Sequence, residues 1–173
     1  MLKIIWFTGL SGSGKTTLAL LLLKSLKKKY HCLHIDGDKF RKKKRNKLIL
    51  TRKNITNNNL SIIKFCKKNQ NKFDYIVVSV MSPILITRKK AFKEFGSKYN
   101  EFFVKAKISD LIKRDTKGLY KRAIESNFEV LGYNSKIKYE VSKHKKIVIN
   151  TSKLSKKACI SKIKENLSAF QYN

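Results

Sequence analysis

Gly9-Leu10-Ser11-Gly12-Ser13-Gly14-Lys15-Thr16-Thr17 is the stretch whose reading decides the fold. It fits G-x-x-x-x-G-K-[ST], the phosphate-binding P-loop, at every constrained position. Ahead of it, residues 2–8 (L-K-I-I-W-F-T) make a short apolar run suited to a buried strand, and residues 18–26 behind it begin a strongly apolar helix. That context separates the stretch from an ordinary glycine turn. Glycines let the backbone bend so that successive N–H groups point inward, and with the helix N-terminus they form an anion cradle. In such a cradle Lys15 reaches the β- and γ-phosphates and the Thr16 hydroxyl sits on Mg²⁺. The expected ligand is ATP or another nucleoside triphosphate, held by Gly9, Leu10, Ser11, Gly12, Ser13, Gly14, Lys15, Thr16 and Thr17.

The 173 residues suffice for one domain with a sizeable core, and no repeat or second domain is visible. The longest apolar run, residues 18–23, falls far short of a bilayer span, so no membrane partner is expected. A core strand that begins almost at Met1 leaves no room for a secretion signal. Cys32, Cys66 and Cys159 are widely spaced singletons, which suggests neither a zinc site nor a disulfide framework. Together these predict a cytoplasmic protein.

The formal net charge is +30, from 41 Lys and Arg against 11 Asp and Glu. Such a field steers anionic nucleotides and raises nucleic acid as a partner. The lysines are spread over almost every polar face, however, and no basic-plus-aromatic motif of a nucleic-acid reader accompanies them. Nucleic acid is not the expected partner.

Further along, 16–29 reads as helix with a basic C-terminal end that suits its dipole. A short strand at 32–35 delivers Asp36-Gly37-Asp38 to the sheet edge where ligands of open α/β folds bind. Residues 39–47 (K-F-R-K-K-K-R-N-K) read as a charged loop, and Arg52–Asn69 as a helix. D-Y-I-V-V-S-V (74–80) is the clearest strand, and Pro83 can open the helix after it, with Gly96 as its cap. A fourth strand is expected at 101–107, with Ser109 as N-cap of a short helix at 110–114. The polar, weakly periodic segment from Asp115 predicts a mobile lid over residues 115–140, with a helical piece at 119–125. A strand at 146–150 and an amphipathic helix at 155–170 close the chain. Alternation of strands and helices predicts an α/β domain: a mostly parallel five-stranded sheet with helices on both faces.

Three kinds of P-loop protein compete. A motor-type ATPase ends a core strand in an acidic pair, whereas 74–80 runs into Met81 and Ser82 with no carboxylate. N-K-F-D (71–74) and D-T-K-G (115–118) match GTPase fragments, but in reversed order. A small-molecule kinase remains. Asp36 and Asp38 are the carboxylates placed at a strand end beside the P-loop. One would accept the acceptor's hydroxyl proton while the other helps Thr16 hold Mg²⁺ or its water shell.

The motifs G-L-S-G-S-G-K-T-T, D-G-D-K-F-R (36–41), Asn54-Ile55, Ser82-Pro83 and K-R-D-T-K-G-L-Y-K-R-A (113–123) stand in the order found in adenylylsulfate (APS) kinases. Gly132, Tyr139-Glu140 and I-V-I-N-T continue a resemblance that covers essentially the whole chain. It implies a P-loop kinase that uses MgATP to phosphorylate the 3′-hydroxyl of adenosine 5′-phosphosulfate, and it admits a homodimer. It further implies catalytic roles for Lys15, Asp36, Asp38 and Ser82, and ATP contacts from Arg114 and Lys117 in the lid, with Lys121 beside them. Acceptor contacts are implied for Asp38, Arg41, Asn54, Ser82, Lys117, Gly118 and Leu131. Ser82 matches the family's phosphoenzyme serine, although direct in-line transfer needs no protein nucleophile, and a hydrogen bond to the acceptor is the expected role.

Departures cluster on the acceptor side. Lys39 replaces the usual Asn, the loop before Asn54 is shorter, and Thr51 stands where an Arg is usual. Ile84-Leu85 replaces Tyr-Arg, although Arg88 fits a later arginine. Val130-Leu131-Gly132 replaces F-T-G and loses the aromatic expected on the acceptor's adenine, a loss for which Phe128, Leu131 or Tyr133 could compensate. Relatives of this architecture phosphorylate other nucleotides such as cytidine diphosphoramidate, which is the alternative acceptor. His31, His34 and His144 show no ligand spacing and receive no role.

Overall fold

A computed structural model describes residues 2–43, 50–142 and 147–169. Five strands form one sheet: β1 (Lys3–Thr8), β2 (Cys32–Asp36), β3 (Tyr75–Ser79), β4 (Tyr99–Lys105) and β5 (Ile147–Asn150). Their order is β2-β3-β1-β4-β5 and every pairing is parallel. Parallel strands need crossovers. These are supplied by α1 (Lys15–Leu26), α2 (Gly37–Lys43) with α3 (Arg52–Asn69), α4 (Leu85–Phe95), and α5 (Ile108–Arg114) with α6 (Leu119–Glu125). The chain closes with α7 (Lys156–Ala169).

The apolar run of β1 is unbroken because both its faces are covered. Ile5 and Phe7 pack with Leu18, Leu22, Val77 and Ile163 beneath α1 and α7. Ile4 and Trp6, displaced by one residue, point the other way and pack with Ile62, Ile76, Ala91 and Phe95 beneath α3 and α4. Helices on both faces are thus what the sequence predicts. No helix among the described residues is long and apolar enough to cross a membrane.

Several local expectations need correction. The charged run read as a loop begins as a helix: Asp36 Oδ1 accepts from the N–H groups of Asp38 and Lys39 at 3.0 and 3.1 Å, capping α2, and Phe40 packs edge-on against Phe65. Residues 44–47 of that run lie outside the described residues. The fourth strand starts at Tyr99, two residues early. Ser109 is not a cap, since Lys107 stands at that position and no side chain caps α5. Pro83 precedes the N-cap Ile84 of α4 rather than opening the helix itself.

Register brings the site together. Asp36 pairs with Ser79 and Phe7 with Ser79 on the neighbouring strand, so Thr8, Asp36 and Ser79 end at the same edge of the sheet. Ligands of open α/β sheets bind at that carboxyl edge.

Candidate active site

Gly9 leaves β1 with φ +140°, and a Cβ there would lie 2.3 Å from the Val104 carbonyl oxygen. Only glycine fits this close approach to the neighbouring strand. Gly14 then takes φ 98° as N-cap of α1, with no side chain capping the helix and no acid in its first turn. The first N–H groups of α1 therefore remain directed at the loop, as an anion site requires. Lys15 curls back, and its ammonium donates to the Leu10 carbonyl at 2.7 Å. Desolvation brings its pKa down to about 8, with Lys117 pushing the same way and Asp38 and Asp36 opposing.

The rest of the loop is held by residues remote in sequence. The Tyr120 hydroxyl donates to the Ser11 carbonyl at 2.9 Å, and the Thr151 hydroxyl to the Ser13 carbonyl at 3.0 Å. Arg114 in turn grips Thr151 through its hydroxyl at 3.0 Å and its carbonyl at 2.8 Å. Gly12 sits beneath Leu111 and Tyr120, while Thr17 is exposed on α1. Tyr120 lies within K-R-D-T-K-G-L-Y-K-R-A and Thr151 ends I-V-I-N-T, but neither motif marks them as supports of the P-loop. Their connection to the loop spans more than a hundred residues, which no local pattern reveals.

Thr16 and Asp36 form the first polar pair at the sheet edge. The Thr16 hydroxyl donates to Asp36 Oδ2 at 2.8 Å, and Ser79 Oγ stands 3.4 Å from the same oxygen. Burial opposes ionisation of Asp36, but the N–H of Lys39, the Thr16 hydroxyl and the N–H of Asp38 outweigh it and hold the carboxyl below its ordinary value. Ser79 Oγ also lies 3.0 Å from His34 Nε2, and burial lowers the basicity of that imidazole.

Asp38 belongs to a second group. Its Oδ1 pairs with Arg41 at 2.7 Å and its Oδ2 with Lys117, which arrives from the turn between α5 and α6. Burial raises the Asp38 carboxyl, and the hydrogen bond and charge of Lys117, followed by Arg41, pull it below the usual carboxylate range. The structure thus brings Asp38, Arg41 and Lys117 into contact. Gly118, at φ 63°, follows Lys117 and opens α6.

The remaining acceptor residues are more dispersed. Asn54 lies in the first turn of α3, where its N–H donates to the capping hydroxyl oxygen of Thr51 at 3.1 Å. Thr51 in place of an arginine is therefore the N-cap of α3. Leu131 is buried against Ile55 and Ile84, with Leu50, Met81 and Ile137 around them, so an apolar wall stands where it was expected to touch the acceptor.

Ser82 departs from its expected place. It is fully buried, at φ 43°, donates to Asn59 Oδ1 at 2.6 Å and accepts from Trp6 Nε1 at 3.1 Å. Both directions of the hydroxyl are used inside the core, so nothing is presented to an acceptor, and a catalytic or acceptor-binding role finds no support. Its carbonyl instead helps seat Arg88, whose guanidinium also reaches Glu101 and the Glu140 carbonyl and lies 5.0 Å over the Tyr139 ring.

A triphosphate cradle faces a carboxylate gripped by two cations across the carboxyl edge, and the strand beside it brings no acid to activate water. That layout is the working arrangement of a P-loop kinase, a phosphotransferase, rather than of an ATPase motor. The sequence profile of the family described as Adenylylsulphate kinase matches residues 1–150. A probable adenylyl-sulfate kinase of Pyrococcus abyssi is 35% identical over 153 residues, covering 87% of this chain and 86% of that protein. An adenylyl-sulfate kinase of Bacteroides thetaiotaomicron is 32% identical over 165 residues, covering 94% and 81%. The solved structure of the Mycobacterium tuberculosis APS kinase CysC in complex with AMPPNP and APS superposes with a TM-score of 0.85 at 25% identity, over 96% of this chain and 98% of that one. The chain belongs to the adenylyl-sulfate kinase family.

Proposed function

We propose that this chain transfers the γ-phosphoryl group of ATP to the 3′-hydroxyl of adenosine 5′-phosphosulfate, giving 3′-phosphoadenylyl sulfate. The observation that carries the reading is the division of the two carboxylates: Asp36 is bonded to Thr16 at the P-loop, and Asp38 is bonded to Arg41 and Lys117 on the lid side. Transfer through a loose, metaphosphate-like transition state needs positioning and charge neutralisation more than covalent help. The N–H groups of the loop and Lys15 hold the triphosphate. Arg114 closes that end through Thr151. Asp38, kept ionised by its two cations, accepts the hydrogen bond of the attacking hydroxyl and aligns it with the γ-phosphorus. Arg41 and Lys117 meet the acceptor's negative charges.

Thr16 and Asp36 supply hard oxygen donors of the kind Mg²⁺ takes. Among the described residues no group of three or more His, Cys, Asp or Glu could hold a metal, so the fit is to an ion shared with phosphate oxygens. An ion held there would supply charge neutralisation to the triphosphate during transfer. The three cysteines are free thiols, which suits a reducing compartment, and we place the reaction in the cytoplasm. A homodimer, implied by the family resemblance, is checked by sedimentation.

A second acceptor, cytidine diphosphoramidate, is favoured by one observation: the aliphatic wall around Leu131 replaces a stacking aromatic. The test is ADP release from ATP on adding adenosine 5′-phosphosulfate, with Lys15→Ala as control. Release that requires the acceptor and vanishes in the variant supports the reading. Release without acceptor, or unchanged in the variant, refutes it.

A further inference from the structure

We propose that His34 is a positioning residue, acting through Ser79 to fix the Asp36–Thr16 pair on which the metal-bound nucleotide rests. Residues two apart on a strand share a face, and β2 therefore puts His34 and Asp36 on one side. The parallel register sets Ser79 directly beside Asp36 on that side. Ser79 Oγ then stands 3.0 Å from His34 Nε2, 3.4 Å from Asp36 Oδ2 and 3.5 Å from Thr16 Oγ1.

The direction of this chain follows from counting protons. Thr16 spends its single hydroxyl proton on Asp36 Oδ2, the shortest contact of the group at 2.8 Å. Asp36 Oδ1 is filled by two backbone N–H groups. If the Ser79 proton went to the imidazole, a hydroxyl lone pair would face a carboxylate oxygen, which is repulsive. Ser79 therefore donates to Asp36, and His34 donates from Nε2 to Ser79. His34 thereby fixes which way the Ser79 hydroxyl points. Without it, Ser79 can turn and accept the Thr16 proton, competing with Asp36. With it, Thr16 keeps its proton on Asp36 and its lone pairs toward the cation. Partners one bond removed from a ligand orient it in this way, and losing one commonly costs about 10- to 100-fold in metal affinity.

The inference rests on assigning Thr16 and Asp36 to the metal, and the experiment separates the two. Fluorescent mant-ATP is titrated onto the full chain in excess Mg²⁺ and in EDTA. Wild type should bind more tightly with Mg²⁺. A wild type indifferent to Mg²⁺ would remove that assignment and with it the ground for His34. In His34→Leu the gain from Mg²⁺ should shrink about 10-fold while the affinity in EDTA holds. His34→Gln, whose amide nitrogen can occupy the place of Nε2, should keep the gain. Ser79→Ala should show the same loss, and the double variant no more than Ser79→Ala alone. A His34→Leu protein that keeps the whole Mg²⁺ gain, or loses equally in EDTA, overturns the proposal. If His34→Leu shows no cooperative thermal transition, Ser79→Ala decides alone: a full Mg²⁺ gain there overturns it as well.

Discussion

Replacing Arg88 by Met should free the segment around Tyr139 and Glu140 from the sheet and cost a measurable share of the molecule's stability. The guanidinium is 1% exposed and its partner Glu101 is 8% exposed, with Nε 3.2 Å from Glu101 Oε1. Its other nitrogens donate to the carbonyls of Ser82 and Glu140, and its plane lies over Tyr139. Tyr139 stacks on Phe103 at 5.0 Å and shares a hydrogen bond with Thr8, the residue that enters the P-loop, at 2.7 Å. Methionine fills the volume but takes the cation from the buried Glu101 carboxylate, leaving it the Tyr99 hydroxyl at 3.3 Å, and removes the donors from the Ser82 and Glu140 carbonyls. Breaking a buried pair from one side costs about 3–5 kcal/mol. For a chain of this length each kcal/mol moves the midpoint by about 2–4 °C, so thermal unfolding by circular dichroism should fall by about 6–20 °C. Arg88→Met/Glu101→Leu removes the stranded charge and should recover part of that. Below the transition, the surviving fraction should show a raised KM for the acceptor, because the segment ending the lid has lost its anchor. A single variant within about 1 kcal/mol of wild type would refute the reasoning, since that is an ordinary surface or point-mutation effect.

Asp38→Asn should lower kcat by about 10²–10⁴-fold with little change in ATP affinity, whereas Asp36→Asn should weaken the response to Mg²⁺; equal profiles would undo the division of roles. Lys117→Met should raise the acceptor KM by about 10- to 100-fold, the loss of one charge-assisted hydrogen bond, and an unchanged KM would show that the lysine does not meet the acceptor. Lys15 has its pKa lowered from 10.5 to about 8 by desolvation. Between those values the unfolded chain holds the proton and the folded chain does not, so stability from this group rises with pH through the window while ATP affinity, which needs the ammonium, falls. Titrating ATP from pH 7 to pH 10 checks the second trend, and a flat profile contradicts it.

Much of this was legible in the sequence because its determinants are local. The P-loop needs glycine at fixed offsets, the buried strands need unbroken apolar runs, and D-G-D falls at a strand end. The helix α2 was not legible, because its charged residues show no apolar period and its start depends on the Asp36 carboxylate turning back on the next two N–H groups. Ser82 was not legible for a different reason, tertiary packing. A serine before a proline at a strand end looks available, and only packing shows its hydroxyl locked between Trp6 and Asn59. Tyr120, Thr151 and His34 act through partners remote in the sequence, so pattern alone could not assign them.

The chain is incubated with ATP and, separately, adenosine 5′-phosphosulfate, cytidine diphosphoramidate, AMP and CMP. ADP release is followed, and the new phosphate ester is placed by phosphorus and proton NMR. Selective turnover of adenosine 5′-phosphosulfate, with the ester on the ribose 3′-oxygen, is the predicted result. Turnover of the cytidine compound alone would contradict it, showing that the lid motif serves the phosphoryl donor and that the aliphatic wall around Leu131 has been rebuilt for another base.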